Sequence, residues 1–171
     1  MKKLSPLAQP SLILEKVNNS KIYISSKTAA YHQPTISNLK ITHIIAIHQD
    51  AKPMFEKDGV TYFLIKDVDD KADEADKLRS KIPQTNEFIH SCLQSSENRI
   101  LIHCNAGASR SVSLAAFYLK TISGLDSETV LEKIKQKRIQ TCPNEGFKMK
   151  LNEFDDAEER SRLKIDKLVQ I

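Results

Sequence analysis

Residues 100–111 read Ile100-Leu101-Ile102-His103-Cys104-Asn105-Ala106-Gly107-Ala108-Ser109-Arg110-Ser111. The apolar residues at the start of this stretch are typical of a strand that is buried on both faces. The small residues that follow indicate a loop, and an amphipathic helical pattern begins directly after it. In such a loop successive backbone N–H groups point inward, and the positive end of the helix dipole is aimed at the same place. The stretch therefore predicts a strand–loop–helix unit that binds an anion.

Three side chains of this unit carry reactive chemistry. Cys104 ends the strand, where the loop amides and the helix N-terminus would stabilise a thiolate, which is the nucleophilic form of cysteine. Arg110 has a planar guanidinium that binds two oxygens of one phosphate, and the Ser111 hydroxyl is able to hydrogen-bond the sulfur. A buried structural cysteine is the plainer interpretation. It does not explain His103, the arginine or the run of small residues.

The rest of the chain indicates an α/β fold. Four runs rich in Ile, Val, Tyr or Phe predict strands: Lys21–Ser25, His43–Ile47, Val60–Ile65 and Arg99–His103. Apolar residues on single helical faces predict helices over four further segments: Thr85–Leu93, Val112–Leu119, Val130–Ile134 and Phe147–Phe154. The predicted strands come early in the chain, the helices come late, and the two alternate in the middle. This order predicts one domain in which helices cover a central sheet.

Composition narrows the class of protein. The 171 residues are 40% hydrophobic and 28% charged, which predicts one globular domain and not a disordered chain. Three cysteines are too few for a disulfide scaffold, so a cytoplasmic or nuclear protein is expected. The net charge of +4 is below that of a nucleic-acid-binding surface. No apolar run reaches the length of about 20 residues that a membrane helix needs. We expect no nucleic-acid partner and no membrane partner.

The motif of residues 103–111 resembles the signature loop of the dual-specificity protein phosphatases, within the cysteine-dependent protein tyrosine phosphatase superfamily. Ile22–Ser26 is similar to the opening strand of that family, and Leu39–Ile45 to its second strand. Arg138 and the segment Pro143–Phe147 resemble landmarks that precede the last core helix of the family. The first motif is highly specific and the flanking ones are moderately so.

The resemblance covers roughly residues 20–157 and implies a small, atypical family member. The fold would be a single α/β domain whose central, mostly parallel twisted sheet of about five strands has helices on both faces. Residues 1–19 would be an N-terminal extension, and residues 158–171 a charged C-terminal helix or tail.

The activity that the resemblance implies is hydrolysis of phosphotyrosine and phosphoserine or phosphothreonine monoesters in proteins. The reaction would pass through a phosphocysteine intermediate and would need no metal and no cofactor. Its catalytic residues would be Cys104, Arg110, Ser111 and an aspartic acid, and its phosphate would bind to Asn105, Ala106, Gly107, Ala108, Ser109 and Arg110. His103 would brace the loop by hydrogen bonds, and Asn144 would support it.

The aspartic acid is expected in Lys66–Asp70, just after the third predicted strand. A phenol or an alkoxide leaves poorly unless it is protonated, and a general acid contributes about 10²–10⁴ in rate. The family pattern places the acid seven residues after a tyrosine, and Tyr62 then indicates Asp69. Asp70 is the second candidate and Asp67 the third. The non-catalytic interpretation is a group of solvated carboxylates at a helix start.

Other functions stay open at this point. A pseudophosphatase would use the same loop to bind phosphorylated residues without turnover, as a scaffold module. A phosphatase for phosphoinositides or RNA 5′-phosphates would use it on other substrates. Lipid phosphatases of the superfamily typically carry lysines in the loop, whereas this chain has Asn105, Ala106 and Ala108 there. The chain has no Trp, so it lacks the Trp-Pro-Asp loop of the classical tyrosine phosphatases.

Overall fold

The computed structural model describes residues 4–5 and 8–171. Its strands are β1 (Ser11–Glu15), β2 (Lys21–Ser26), β3 (His43–Ile47), β4 (Thr61–Ile65) and β5 (Arg99–Cys104). Its helices are α1 (Lys27–Ala30), α2 (Gln33–Leu39), α3 (Ala75–Cys92), α4 (Arg110–Ser123), α5 (Ser127–Lys137), α6 (Glu145–Asn152) and α7 (Asp156–Leu163). Short 3-10 turns lie at Glu56–Asp58 and Ala72–Glu74.

The five strands form one sheet in the order β1-β2-β5-β3-β4. The strand β5 is central and pairs in parallel with both β2 and β3, and β3 pairs in parallel with β4. Only the edge strand β1 is antiparallel. The mostly parallel α/β fold is therefore confirmed. Because parallel strands end at the same edge of a sheet, the carboxyl end of β5 opens where the neighbouring strands also end.

Two apolar clusters cover the two faces of the sheet. Successive residues of a strand point to opposite faces. Accordingly Ile100 and Ile102 of β5 belong to the larger cluster, with residues of α3 to α6. Leu101 belongs to the smaller cluster, with Ile36 of α2 and Phe55. Burial on both faces explains why the sequence of β5 is almost continuously apolar.

The edge strand β1 is a strand that the sequence pattern missed, and the helices α1 and α2 were missed as well. Its apolar part, Leu12–Leu14, is only three residues long and follows Pro10, so it gives a weak strand signal. Pairing with β2 makes it a strand, and Ile13 and Leu14 are buried there. Part of the expected N-terminal extension thus joins the sheet. The strand β3 has its predicted bounds, and β2, β4 and β5 each differ from theirs by one residue.

The C-terminal segment packs on the domain. The side chain of Asp155 caps α7 by accepting hydrogen bonds from the backbone N–H groups of Ala157 and Glu158. Beyond α7, the Val169 N–H donates to the carbonyl oxygen of Ile122 in α4, at 2.8 Å. The proposed division into extension, domain and tail stays a prediction. In the described part of the chain, no helix is both long enough and apolar enough to span a membrane.

Candidate active site

The signature loop (residues 104–110) joins the carboxyl end of β5 to α4. Gly107 adopts a φ of 70°, which disfavours any residue with a Cβ atom. A Cβ atom at this position would lie 2.4 Å from the carbonyl oxygen of Ser25. Only glycine therefore lets the loop turn so close to the end of β2.

The sulfur of Cys104 is buried inside this loop, and the residue is 2% exposed. The backbone N–H of Gly107 donates to Sγ at 3.2 Å. The hydroxyl of Ser111, in the first turn of α4, lies 3.3 Å from the same sulfur. The positive end of the α4 dipole lies at this place as well. Each of these groups presents partial positive charge or a hydroxyl to the sulfur.

The buried side chain of Arg138 holds the signature loop from below. Its Nε donates to the carbonyl oxygen of Gly107 at 2.6 Å, and its Nη1 donates to that of Ile24 in β2 at 3.3 Å. Burial lowers the pKa of Arg138, whereas the charge of a Cys104 thiolate raises it. Arg138 thus joins the backbone of the signature loop to that of β2 through these carbonyl groups. The sequence marked it only as a landmark, because its partners are carbonyl groups far away in the chain.

Arg110 links the signature loop to the acidic loop (residues 66–71). The residue is 6% exposed, and its Nη1 donates to the carbonyl oxygen of Val68 at 3.1 Å. Its Nε is buried and has no hydrogen-bond partner among the described residues. A buried N–H without an acceptor is costly. A phosphoryl oxygen bound in the loop would supply such an acceptor.

The acidic loop presents Asp69 and Asp70 in different surroundings. The half-buried Asp69 accepts a hydrogen bond from Nε2 of Gln49 at 2.8 Å, and Lys71 Nζ lies 3.6 Å from its other oxygen. The Oδ1 atom of Asp70 accepts from the Ser109 hydroxyl at 2.6 Å. Only Asp70 therefore hydrogen-bonds the signature loop through its side chain.

Asn144 contacts both loops. Its Nδ2 donates to Oδ1 of Asp70 at 2.8 Å, and its backbone N–H donates to the Ser109 hydroxyl at 3.1 Å. Its Oδ1 caps α6 by accepting from the N–H of Phe147 at 3.0 Å. The structure therefore brings together Asn144, Ser109 and Asp70, which are far apart in the sequence.

The third acidic candidate, Asp67, lies away from this group. Its Oδ2 accepts from Lys81 Nζ of α3 at 2.6 Å, and its side chain is 57% exposed. The hydrogen bond from Lys81 holds the pKa of Asp67 below its usual range. Asp67 is therefore a surface ion-pair residue in this structure.

His103 lies under the loop and is fully buried. Neither of its ring nitrogens has a partner in good hydrogen-bond geometry within residues 4–5 and 8–171, and the expected bracing of the loop by hydrogen bonds stays a prediction. Its ring packs against Tyr31, with centroids 5.9 Å apart, and against His48, at 5.3 Å. Burial is the main cause that lowers the pKa of His103 to about 3; His48 lowers it further, and a backbone interaction at Cys104 weakly opposes this. A neutral His103 thus contacts its surroundings by packing.

The remaining loop residues line the opening of the site. Asn105 and Ala106 are exposed and Ala108 is partly so. The carbonyl oxygen of Asn105 accepts from the N–H of Lys27, at 3.1 Å. Within the described ranges, no group of three or more His, Cys, Asp or Glu side chains is arranged to hold a metal ion. Metal-independent chemistry stays a prediction.

Residues 22–157 match the sequence profile of the dual specificity phosphatase catalytic domain. The chain belongs to this family. It is 34% identical to Dual specificity protein phosphatase 22 of Homo sapiens over 137 residues, which are 80% of this chain and 71% of that protein. It is 37% identical to Dual specificity protein phosphatase 15 of Mus musculus over 133 residues, or 78% of this chain and 54% of that protein.

Solved structures agree with this assignment. The crystal structure of DUSP15 superimposes with a TM-score of 0.82 at 29% identity, and the match covers 92% of this chain and 96% of that one. The human tyrosine phosphatase-like serine/threonine/tyrosine-interacting protein gives a TM-score of 0.75 at 28% identity, covering 85% and 95%. The resemblance seen in the sequence is confirmed, and the protein is a dual-specificity protein phosphatase.

Proposed function

We propose that this phosphatase hydrolyses phosphotyrosine, phosphoserine and phosphothreonine monoesters of proteins through a phosphocysteine intermediate, without a metal. One observation carries the proposal. The Cys104 sulfur accepts from the Gly107 N–H at 3.2 Å and lies 3.3 Å from the Ser111 hydroxyl, at the N-terminus of α4. A sulfur so placed is positioned to act as the nucleophile on a phosphate bound in the loop.

In the first step the Cys104 thiolate attacks phosphorus and the P–O ester bond breaks. Arg110 and the backbone N–H groups of the signature loop bind the equatorial phosphoryl oxygens, where charge is concentrated in the transition state. Asp69 donates its proton to the leaving oxygen, so that the product is a neutral phenol or alcohol. The step leaves a phosphocysteine and a carboxylate at Asp69.

In the second step water attacks the phosphocysteine and the S–P bond breaks. The Asp69 carboxylate accepts the proton of the water and is thereby restored to its acid form. The hydroxyl of Ser111 donates a hydrogen bond to the departing Cys104 thiolate. Inorganic phosphate is released, and protons balance over the two steps.

The contacts favour Asp69 as the acid over its neighbours. Oδ1 of Asp70 already accepts two hydrogen bonds, which hold the side chain in place. Asp67 is paired with Lys81. Among the described residues, the only direct side-chain hydrogen bond of Asp69 comes from the exposed Gln49, and a substrate is able to displace such a contact.

Phosphorylated proteins are the proposed substrates. The exposed loop residues Asn105 and Ala106, with Ala108 beside them, bring no cationic side chain to a second phosphate, as a polyphosphorylated lipid headgroup would require. We also propose the cytoplasm as the compartment, because a thiol nucleophile has to stay reduced and a cytosolic environment keeps thiols reduced.

The test uses the purified chain with a chelator, an aryl phosphate, and matched phosphotyrosine and phosphothreonine peptides. All three substrates are expected to be hydrolysed. Cys104→Ser should abolish turnover but keep vanadate binding, because the loop amides and Arg110 remain. Cys142→Ser is the matched control, since that cysteine is exposed, and it should keep the parental activity.

Three results would contradict the proposal. Full activity of Cys104→Ser would exclude the phosphocysteine mechanism. Hydrolysis of phosphoinositide vesicles or of an RNA 5′-phosphate, without hydrolysis of the peptides, would favour a non-protein substrate. Stoichiometric binding of a phosphopeptide by the parent chain, without release of phosphate, would favour a binding module.

A further inference from the structure

The backbone is anchored on both sides of Asp69. Next to Asp69 on one side, the Val68 carbonyl accepts from Arg110 at 3.1 Å. Towards the other side, a Cβ atom on Gly146 of α6 would lie 2.3 Å from the Ala72 carbonyl oxygen, so the two backbones are in close contact. The backbone of Asp69 is therefore held between fixed points.

On this second side, the side chain of Asp70 makes the contacts that lie nearest to Asp69. Its Oδ1 accepts from the Ser109 hydroxyl at 2.6 Å and from Asn144 Nδ2 at 2.8 Å. The Ser109 hydroxyl accepts in turn from the Asn144 N–H at 3.1 Å, which closes a ring of three residues. A carboxylate forms stronger hydrogen bonds than a neutral oxygen does. The ring thus joins the acidic loop, the signature loop and the start of α6.

Ser109 provides a second sign that this ring is a specific arrangement. It is the N-cap residue of α4, and a serine there ordinarily accepts a hydrogen bond from an N–H of the first turn. Its side chain makes no such bond. The hydroxyl donates to Asp70 instead. The backbone amides at the start of α4 are consequently left without a side-chain cap.

We propose that Asp70 is a positioning residue, which fixes the backbone of Asp69 relative to the signature loop before any substrate binds. The inference rests on the proposed function, in which Asp69 is the general acid. With Val68 and Asp70 both fixed, Asp69 has little freedom beyond its own side-chain torsions. A proton donor held in this way is preorganised for the leaving oxygen, and small displacements of such a group are costly in rate.

The experiment compares two substrates that differ in their leaving group. Phenyl phosphate needs a proton donor, because its leaving group is as basic as a tyrosine side chain, whereas dinitrophenyl phosphate does not. The variants are Asp70→Ala, Asp70→Asn and Asp69→Asn. Asp73→Ala is the control, since Asp73 is an exposed carboxylate close by in the chain. The measured quantity is kcat/KM as a function of pH, and thermal unfolding verifies that each variant is folded.

Asp70→Ala is expected to lower kcat/KM on phenyl phosphate between about tenfold and a hundredfold. It should change kcat/KM on dinitrophenyl phosphate only slightly. The pH profile should keep its basic limb, because Asp69 is still present. Asp70→Asn should recover most of the activity, since its amide oxygen accepts the same two hydrogen bonds. Asp69→Asn should lower phenyl phosphate hydrolysis by about 10²–10⁴ and should remove the basic limb.

The outcomes separate the two proposals. If Asp70→Ala has the same kcat/KM on phenyl phosphate as Asp73→Ala, Asp70 does not position the acid. The same conclusion follows if Asp70→Ala slows hydrolysis of both substrates equally. If Asp70→Ala itself removes the basic limb, Asp70 is the acid and the assignment of Asp69 is wrong. If Asp69→Asn behaves like the parent chain on phenyl phosphate, the proposed acid fails whatever Asp70 does.

A double-mutant cycle with Ser109→Ala tests the ring directly. If the hydroxyl of Ser109 acts through Asp70, the double variant should lose no more activity on phenyl phosphate than the more affected single variant. Losses that multiply would show that the two residues act independently, and would overturn the proposal.

Discussion

The signature loop and the acidic loop meet in one site but are supported in opposite ways. The signature loop lies on buried groups: Cys104 is 2% exposed, and the fully buried Arg138 and Ser111 contact its interior. The acidic loop is mostly exposed. It reaches the signature loop through one carbonyl group, at Val68, and one carboxylate, at Asp70.

This difference shows how the two halves of the proposed chemistry are built. The nucleophile depends on a cradle whose conformation a strand, a glycine and a helix determine locally. The acid depends on a few long-range hydrogen bonds at the surface. Substitutions beneath the signature loop should therefore affect stability and activity together, whereas those in the acidic loop should affect stability little.

Gly107→Ala should show the largest effect. The new Cβ atom would lie 2.4 Å from the Ser25 carbonyl oxygen, at a φ of 70°. We expect a loss of about 3 kcal/mol in the free energy of unfolding, from overpacking plus backbone strain, together with loss of vanadate binding. Urea unfolding and vanadate titration measure the two effects.

Gly59→Ala is the matched control. Gly59 also has a positive φ, of 84°, but nothing lies within 4 Å of the added Cβ atom. Only the backbone strain of about 1–2 kcal/mol should remain, and activity should be unchanged. Equal effects of the two substitutions would show that the close contact with β2 does not matter.

Arg138→Met should have the next largest effect. It removes the donors to the carbonyl oxygens of Gly107 and Ile24 from a fully buried position. We expect a loss of about 2–3 kcal/mol in unfolding free energy, and reduced kcat/KM on an aryl phosphate, because the loop loses its support. Lys135→Met, at an exposed site on α5, should leave both quantities near the parental values.

The free energy of unfolding should depend on pH through the buried His103. The folded state keeps this histidine neutral, with a pKa of about 3, whereas the unfolded chain takes up a proton below about pH 6.5. The unfolded state binds more protons between these values, so stability is lost as the pH falls through that window. From pH 7 to pH 5 this amounts to about 2 kcal/mol.

His103→Asn tests this linkage by urea unfolding at both pH values. The variant should be less stable at pH 7, but it should lose about 2 kcal/mol less than the parent on going to pH 5. Burial also lowers the pKa of His48, so His48 contributes to the pH dependence of the parent chain as well. The test is therefore the difference between variant and parent in the unfolding free energy lost from pH 7 to pH 5. An unchanged difference between the two pH values would contradict a neutral, buried His103.

Asp67→Asn should give the smallest effect. The side chain is 57% exposed and pairs with Lys81 at the surface. Such ion pairs contribute under about 1 kcal/mol to stability and are screened by salt. Activity on phenyl phosphate should equal that of the parent. A strong loss of activity, comparable to that of Asp69→Asn, would move the acid to Asp67 and remove the contrast between the loops.

Much of the architecture was predictable because it follows local rules. The strands β2, β3, β4 and β5 were visible as apolar β-branched runs, and the main helices as periodic apolar faces. The edge strand β1 was not, since three apolar residues become a strand only by pairing with β2. The hydrogen bonds expected for His103 stay a prediction. What surrounds a buried ring depends on the packing of Tyr31 and His48.

The sequence by itself determined the strand–loop–helix unit, the positions of Cys104 and Arg110 in it and the family, because short-range backbone geometry encodes these features. Only the tertiary structure decided that Arg138 supports the loop and that Asp70, not Asp69, is hydrogen-bonded to Ser109. Adjacent carboxylates look alike in a sequence. They differ once packing places donors from 39 and 74 residues away against one of them.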